Sequence, residues 1–308
     1  MSRLSIIIPC PGEPRDFEET LASVLANRPD DSEILVPLRV PYDDPYELGG
    51  EVGFLFFPEH RTAVELINAT LPCAKGDIIH LVACGLEATE GWADRALASF
   101  DQPSVTSVAP LVAEDHGEVI GVARDWTGRR RLVHQAGSAR TTTEPLGPTL
   151  AAAFYRRRVL AAAGGLPDDV APPLADLDLA LRLQSLGGRH AVATASRMHG
   201  PTASAGPSAW RRGRDEERIE RRRQVLQEKP RSGLLRFVAR LVAAGRQQGT
   251  LGKLLYLAGR VQGSFQRTVE AQTTQWHAAA MERLEASSLE PTAHPATATS
   301  ETTLPRAA

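Results

Sequence analysis

The sequence lacks an excess of charge of either sign. Its 308 residues include 35 basic and 37 acidic side chains, which give a formal net charge of −2 at pH 7. A protein that binds nucleic acid typically presents a strongly positive surface. We therefore expect no nucleic-acid partner for the molecule as a whole, and any cationic surface has to be local.

Cysteine is scarce, and long apolar runs are absent. The three cysteines, Cys10, Cys73 and Cys84, are an odd number without C-x-x-C spacing. They fit neither a disulfide framework nor a structural zinc site, so a reducing cytoplasm is the simplest compartment. The apolar run at residues 4–8 is short and ends at Pro9, and no run reaches about 18 residues. We expect neither secretion nor a membrane span.

Short β-rich runs alternate with helical patterns over roughly the first two hundred residues. Strands are predicted at residues 4–9, 33–38, 52–57, 77–82 and 104–110, and helices at 17–26, 62–71 and 91–100. This βαβ rhythm predicts an α/β fold with a mostly parallel sheet and helices on both faces. Because ligands bind outside the carboxyl ends of such strands, residues 9–13 and 82–87 are the expected location of chemistry.

The pattern loosens beyond residue 110. A hairpin is predicted at residues 118–124 and 130–135, a loop that could line an acceptor site at 141–148, helices at 154–163 and 174–186, and a last strand at 190–194. Each of the two helices ends at a Gly-Gly pair, as a helix terminated by a left-handed residue should. No G-x-G-x-x-G follows any predicted strand, which argues against a dinucleotide-binding dehydrogenase.

The C-terminal third differs in composition. Residues 214–227 predict a solvated helix with many ion pairs. Residues 229–268 contain eight basic side chains, no acidic one, and apolar residues at helical spacing. This segment either packs on the main domain, mediates self-association, or makes peripheral contact with an anionic membrane surface. The last twenty residues are rich in Thr, Pro, Ala and Ser, which predicts disorder.

Several short motifs follow one another in an order that is typical of one enzyme family. They are Ser5 to Pro9 with Glu13 and Ser23, Asn68 with the segment Ala74-Lys75-Gly76-Asp77, Gly91-Trp92, Tyr155-Arg156-Arg157 with Gly164-Gly165, then Asp176, Asp178, Leu179 and Arg182, and finally His199. With these motifs, the stretch from about residue 4 to residue 199 resembles the nucleotide-sugar-dependent glycosyltransferases of family 2, which have the GT-A fold.

The resemblance implies a role for each motif residue. Asp176 is the implied general base, which removes the proton from an acceptor hydroxyl as that oxygen attacks the anomeric carbon with inversion. Asp178 and Arg182 are implied to bind the acceptor or to support its loop. The implied nucleotide-sugar site contains Pro9, Glu13, Asn68, Ala83, Gly85, Arg156 and His199.

Ordinary structural explanations stand beside these roles. Asp176 and Asp178 can satisfy free N–H groups at a helix start. Asn68 can tie neighbouring backbone together, and His199 can be a simple loop residue. Trp92 is typical of a core residue. Cys84 is more typical of a small filler than of a nucleophile.

The metal motif of the family is missing. Its D-x-D acids are expected at Ala83, Cys84 and Gly85, where neither acid occurs. We therefore assign no metal ligand, and leave open a Mg²⁺ or Mn²⁺ ion at a displaced site with Glu87 as one carboxylate. Without a cation, the phosphate charge needs guanidinium partners. The candidates are Arg124, Arg129, Arg130, Arg131, Arg156 and Arg157.

We expect three parts: a GT-A-like glycosyltransferase domain at residues 1–202 from the resemblance, and a basic helical extension at 203–288 and a disordered tail at 289–308 from composition. The resemblance implies a hexosyltransferase type of enzyme of polysaccharide biosynthesis. Such an enzyme moves a sugar from a nucleotide-sugar donor to a saccharide or lipid-linked acceptor hydroxyl. The alternative is a catalytically inactive relative that serves as a binding or scaffolding protein. The expected location is the cytoplasm, with the inner face of the membrane left open.

Overall fold

The computed structural model describes residues 3–13, 15–125, 128–135, 144–202, 206–227, 250–265 and 268–289. Its strands are β1 (Leu4–Ile7), β2 (Ser32–Leu38), β3 (Val52–Phe56), β4 (Ile78–Val82), β5 (Glu87–Ala88), β6 (Val105–Glu114), β7 (Gly117–Arg124), β8 (Arg130–His134), β9 (Ala152–Arg156) and β10 (Arg189–His199). They form one sheet in the order β3-β2-β1-β4-β9-β6-β10-β5, and β7 joins β6 to β8.

The helices of the described residues are α1 (Arg15–Asn27), α2 (Ala63–Thr70), α3 (Trp92–Leu97), α4 (Arg157–Ala162), α5 (Pro172–Ser185), α6 (Ala209–Leu226), α7 (Thr250–Phe265) and α8 (Thr268–Leu289). Helices α1 and α3 pack on one face of the sheet, and α2, α4 and α5 pack on the other. This layering, followed by C-terminal helices, is the predicted α/β architecture.

The direction of the strands decides where ligands can bind. Strands β1 to β4 are parallel in the order β3-β2-β1-β4, β9 is antiparallel to both β4 and β6, and β10 is parallel to β6. Strands β1, β2, β4, β6 and β10 therefore all end at the same edge of the sheet, which we call the carboxyl edge. Strand β9 ends at the opposite edge.

Several predicted boundaries are corrected. Residues 154–156 belong to β9 and not to a helix, because they pair with β4 on one side and β6 on the other. The last strand extends to His199. Helix α5 begins at Pro172, so the two acids of its sequence lie beyond the first turn. The N-cap residue of α5 is Ala171, and neither Asp176 nor Asp178 caps the helix.

Helix α6 is buried, although its sequence predicts a solvated helix. Asp215, Glu216, Glu220 and Arg222 all lie inside the protein. Burial is possible because each charge has a partner on another element or nearby on α6, which offsets the cost of desolvation. The backbone of α6 also contacts that of α7: a Cβ added to Gly259 would overlap the carbonyl oxygen of Trp210.

Part of the predicted extension lies outside the described residues, namely 203–205, 228–249 and 266–267, as does the tail from residue 290 onward. Within the described part of the extension, helix α8 packs on the main domain. Trp276 Nε1 donates to the carbonyl oxygen of Ala163 at 2.9 Å, and Arg283 donates to that of Ala162 at 2.6 Å. The three-part division of the chain stays a prediction.

A neutral histidine lies in the centre of the core. His80 is fully buried, stacked on Phe154 with ring centroids 3.6 Å apart and edge-on to the core residue Trp92. Its Nδ1 donates to the carbonyl oxygen of Ala153 at 3.1 Å, whereas Nε2 has no partner. Burial lowers the pKa of His80 to about 3, because a second N–H would have no acceptor.

This histidine predicts a loss of stability in mild acid. Since the pKa of His80 is about 3 in the folded state and about 6.5 in the unfolded chain, the unfolded state binds more protons below pH 6.5. Stability therefore falls as the pH drops from 6.5 toward 3, by up to about 1.4 kcal/mol per pH unit from this group. His80→Phe should flatten the pH dependence of the unfolding free energy between pH 6.5 and 4.5, measured by urea titration. The exposed His134→Gln should leave it unchanged, and an unaltered slope in His80→Phe would contradict the assignment.

Candidate active site

Three neighbouring segments form the centre of the carboxyl edge. The loop at residues 9–13 follows β1, residues 83–85 follow β4, and Arg39 follows β2. The segments contact one another: Cys84 Sγ donates to the carbonyl oxygen of Pro9 at 3.3 Å, and Arg39 Nε donates to that of Pro11 at 2.8 Å. The predicted location of chemistry is therefore a continuous surface.

The segment that replaces the metal motif is fixed by backbone hydrogen bonds. The amide of Ala83 donates to the carbonyl oxygen of Ala151 at 2.8 Å, and that of Gly85 donates to Thr20 Oγ1 at 2.9 Å. Gly85 has φ +88°, a conformation that favours glycine. Cys84 lies half-buried between them, next to the thiol of Cys10.

The two thiols do not make a site for a hard divalent cation. The neighbouring thiol of Cys10 and burial raise the pKa of Cys84, so its thiol stays protonated. Mg²⁺ and Mn²⁺ prefer carboxylate, carbonyl and water oxygens. Among the described residues, no three His, Cys, Asp or Glu side chains converge on one point. The residues at 83–85 therefore do not fit either ion.

His199 lies beside this segment, at the end of β10. Its cross-strand partner in the β5–β10 pair is Glu87, and both side chains are exposed. Pro201, two residues after His199, lies close to the segment at 83–85, because a Cβ on Gly85 would be 3.7 Å from it. A cavity of about 550 Å³ opens here, lined by Ala113, Glu114, Asp115, His116, His199, Gly200 and Pro201.

Arg39 supplies a positive charge at this edge. Its side chain is half-buried, and its Nε is held by the carbonyl oxygen of Pro11. Within the described residues, neither terminal nitrogen of Arg39 has a hydrogen-bond partner. A guanidinium oriented through Nε with its two other nitrogens available is suited to bind a phosphate group.

Two residues assigned to the nucleotide-sugar site lie elsewhere, which corrects the prediction. Arg156 ends the antiparallel strand β9 at the opposite edge, where its guanidinium donates to the carbonyl oxygens of Phe100 and Val105 at 2.8 and 3.1 Å. Asn68 lies near the end of α2 and binds the backbone of Leu166 through both amide atoms, at 2.8 and 2.9 Å. Asn68 therefore ties two segments of backbone together.

Asp176 is buried in an ion pair that joins α5 to β8. Arg130 Nε donates to Oδ1 at 2.8 Å and Nη2 donates to Oδ2 at 2.6 Å, a bidentate geometry. The side chain of Asp176 is 3 % exposed and that of Arg130 is 19 % exposed, so Arg130 separates Asp176 from solvent. Burial and the nearby Asp176 raise the pKa of Tyr155 well above its usual value.

Asp178 and Arg182 belong to a second cluster, which lies between α5 and α6. Asp178 accepts from Arg222 at 2.6 Å and from Arg182 at 3.0–3.1 Å, while its Oδ1 is buried without a partner. The guanidinium of Arg182 lies over the ring of Trp276 at 5.1 Å. A cavity of about 360 Å³ adjoins this cluster, lined by Asp168, Asp169, Arg182, Arg218, Arg222, Leu226, Gln272, Thr273 and Trp276.

The two acids therefore do not act as helix-start acids. They lie two residues apart and contact different elements, Asp176 reaching β8 and Asp178 reaching α6. This divergence agrees with the rotation of about 200° between such positions on a helix. Asp176 and Asp178 serve separate clusters.

Three other arginine candidates lie away from the carboxyl-edge segments. Arg124 pairs with Glu220 at 2.8 Å and Arg129 lies 4.0 Å from Glu216, both on α6. Arg157 begins α4 at the opposite edge. Arg39 was missed because it belongs to none of the motifs on which the resemblance rests. The signal was its position directly after a predicted parallel strand.

Comparisons with known proteins bear on the fold. No family model matches the chain, and no curated protein is similar to it in sequence. Among solved structures, the chain is similar to the mannosyltransferase PcManGT from Pyrobaculum calidifontis in complex with GDP-Man and Mn²⁺. The TM-score is 0.50 and the identity 16 %, over 92 % of this chain and 87 % of that one.

A second solved structure gives the same fold. GalNAc-T7, solved with UDP, GalNAc and Mn²⁺, matches with a TM-score of 0.55 and 14 % identity over 79 % of this chain. The match covers 54 % of that protein, so this chain spans about half of its length. The two likenesses confirm the predicted GT-A-like glycosyltransferase fold. Membership of family 2 stays a prediction.

Proposed function

We propose that this protein is a glycosyltransferase that moves a sugar from a nucleotide-sugar donor to the hydroxyl of a saccharide or lipid-linked acceptor, with inversion. One observation carries the proposal: in a GT-A-like fold, the ends of β1, β2, β4 and β10 bring Arg39, residues 9–13, residues 83–85 and His199 to one edge. Parallel sheets bind their ligands at this edge.

In this proposal, the positive charge of Arg39 replaces that of the cation which the missing D-x-D acids would otherwise hold. The diphosphate of the donor lies across the ends of β1 and β2, and the terminal nitrogens of Arg39 donate to its oxygens. As the bond to the anomeric carbon breaks, negative charge grows on the leaving phosphate. A fixed guanidinium stabilises that charge more than it stabilises the ground state.

Arg39→Ala should weaken the binding of nucleoside diphosphates by about 10- to 100-fold, the range for losing a hydrogen bond to a charged group. Isothermal titration calorimetry with UDP and GDP, with EDTA and again with Mn²⁺, measures this change. The matched control is Arg3→Ala, which removes one positive charge at the opposite edge, where Arg3 pairs with the exposed Asp101. Equal affinity in Arg39→Ala and the wild type would remove Arg39 from the site.

Asp176 is the proposed general base. Its bidentate partner Arg130 keeps the carboxylate oriented, and the guanidinium has to release one oxygen before an acceptor hydroxyl can donate to it. That oxygen then receives the hydroxyl proton while the acceptor oxygen forms a bond to the anomeric carbon. The nucleoside diphosphate leaves with the electron pair of the broken bond.

The second candidate is a catalytically inactive scaffold with a GT-A-like fold. The observation that favours it is the pairing of both proposed carboxylates with arginines, Asp176 with Arg130 and Asp178 with Arg222. The same calorimetric titration separates the candidates. Micromolar binding that persists in EDTA supports the transferase, whereas no binding of any nucleoside diphosphate supports the scaffold.

A further inference from the structure

Helix α7 presents its apolar side to solvent and its polar side to the protein. The side against α6 consists of Tyr256, Gly259, Arg260 and Gly263, all buried. The opposite side carries the large apolar residues Leu251, Leu254, Leu255, Val261 and Phe265, which are 70, 61, 45, 41 and 77 % exposed. This arrangement inverts the usual orientation of a surface helix, whose apolar stripe faces the core.

Specific polar contacts fix this orientation. Tyr256 donates its hydroxyl to Glu216 at 2.6 Å, and Arg260 Nε lies 3.2 Å from Glu217. Gly259 allows the backbones of α6 and α7 to touch. Rotating α7 to bury its leucines would separate these buried charges and replace the glycine contact with a larger side chain. The apolar side is therefore held outward.

The exposed side is a continuous stripe. At 100° per residue, positions 251, 254, 255, 258, 261, 262 and 265 fall within an arc of about 120°. Gln262 is its single polar member, and Ala258 fills its middle. Monomeric soluble proteins rarely expose contiguous apolar patches of this kind unless the patch binds something.

Charge identifies the occupant. The 21 residues that precede α7, 229–249, contain five basic side chains and no acidic one, and Lys253 lies on α7 itself. A second copy of the chain would bring two such basic segments together, which is unfavourable. An anionic lipid surface attracts each basic residue by about 1 kcal/mol and accepts the apolar stripe below its headgroups.

We propose that α7 docks its apolar stripe on a membrane surface whose anionic headgroups attract Lys253 and the positive charge carried by the sequence at 229–249. The helix lies flat in this proposal. None of the helices in the described ranges combines the length and apolarity needed to cross a bilayer. The proposal does not depend on sugar transfer, because the stripe is remote in sequence from the residues of the carboxyl edge.

Flotation of the full-length protein with vesicles tests the proposal. One vesicle type is phosphatidylcholine with about one third phosphatidylglycerol, and the other is phosphatidylcholine alone. We expect binding to the anionic vesicles, much weaker binding to the neutral ones, and a loss of binding in high salt. The double variant Leu254→Glu with Phe265→Glu should bind at least about tenfold more weakly, because two inserted side chains become charged.

The control is Tyr46→Glu, which adds a carboxylate at an exposed aromatic residue, 63 % accessible, outside α7. It should bind as the wild type does. Thermal melts check that all variants stay folded, which is expected because every changed side chain is exposed. The proposal is overturned if the wild type does not float with anionic vesicles or if the double variant floats equally well. A dimer in solution that becomes monomeric in the double variant, without vesicle binding, would assign the stripe to a second copy.

Discussion

Asp176→Asn is expected to lower the turnover of sugar transfer by about 10²- to 10⁴-fold, the usual contribution of a positioned general base. Asparagine has nearly the same shape and still accepts a hydrogen bond from Arg130, but its amide cannot take the acceptor proton. The measurement is the release of nucleoside diphosphate under saturating donor, once a donor is known from the calorimetric panel. Binding of the donor should change little, because the proposed role of Asp176 concerns the acceptor hydroxyl.

The control separates the base from the ion pair. Arg130→Met breaks the same pair but leaves the carboxylate, which it also opens to solvent. If Asp176 is the base, Arg130→Met keeps far more activity than Asp176→Asn. If the pair only joins α5 to β8, the two variants lose the same stability and the same modest share of activity. Equal turnover in Asp176→Asn and the wild type would end the assignment.

Arg222→Ala is expected to lower the free energy of unfolding by about 3 kcal/mol. Arg222 is 8 % exposed at its side chain and bridges the fully buried Asp178 to Asp169. Breaking a buried ion pair from one side leaves a desolvated charge and typically destabilises a protein by about 3–5 kcal/mol. The lower end applies here because Arg182 stays 3.0 Å from Asp178.

Urea unfolding followed by circular dichroism measures this loss. The matched control on the same helix is Arg211→Ala, whose side chain is 47 % exposed and lies 3.6 Å from Asp215. Losing this pair should cost about 1 kcal/mol at most, because Arg211 is largely exposed and the buried Asp215 keeps Arg214 at 2.8 Å. A destabilisation in Arg222→Ala no larger than that of Arg211→Ala would show that the cluster around Asp178 does not hold α6 in place.

The layers of the fold were predictable from the sequence because they follow from local periodicity. Apolar runs such as residues 77–82 predicted strands that are buried on both faces, and β4 is one of them. Strand β9 was missed for a physical reason. Its four buried residues resemble a helix segment as much as a strand, and their partners in β4 and β6 are distant in sequence.

The candidate site was predictable where topology decided it. Pro9, Ala83, Gly85 and His199 follow strands that end at the carboxyl edge, and the structure brings them together. Asn68 and Arg156 were assigned by motif alone, and strand direction places Arg156 at the other edge. The same topological rule would have selected Arg39.

The burial of α6 was not predictable from its composition. A run of alternating charges is typical of a solvated helix. The local sequence does not show that these charges have ion-pair partners on distant segments. Glu220 pairs with Arg124 from β7, and Glu216 accepts from Tyr256 of α7. Such matched pairs form only when the tertiary structure brings the elements together.

The buried acids of α6 have a practical consequence for any shortened form of the protein. Residue 202, the end of the predicted main domain, suggests itself as a truncation point. However, the carboxylate of Asp215 accepts a hydrogen bond from the backbone amide of Ala171 at the start of α5. Arg222 of the same helix neutralises Asp178. A fragment ending at residue 202 would lack α6 and would expose the amide of Ala171 and the carboxylate of Asp178 to water. A minimal folding unit therefore has to retain residues 206–227.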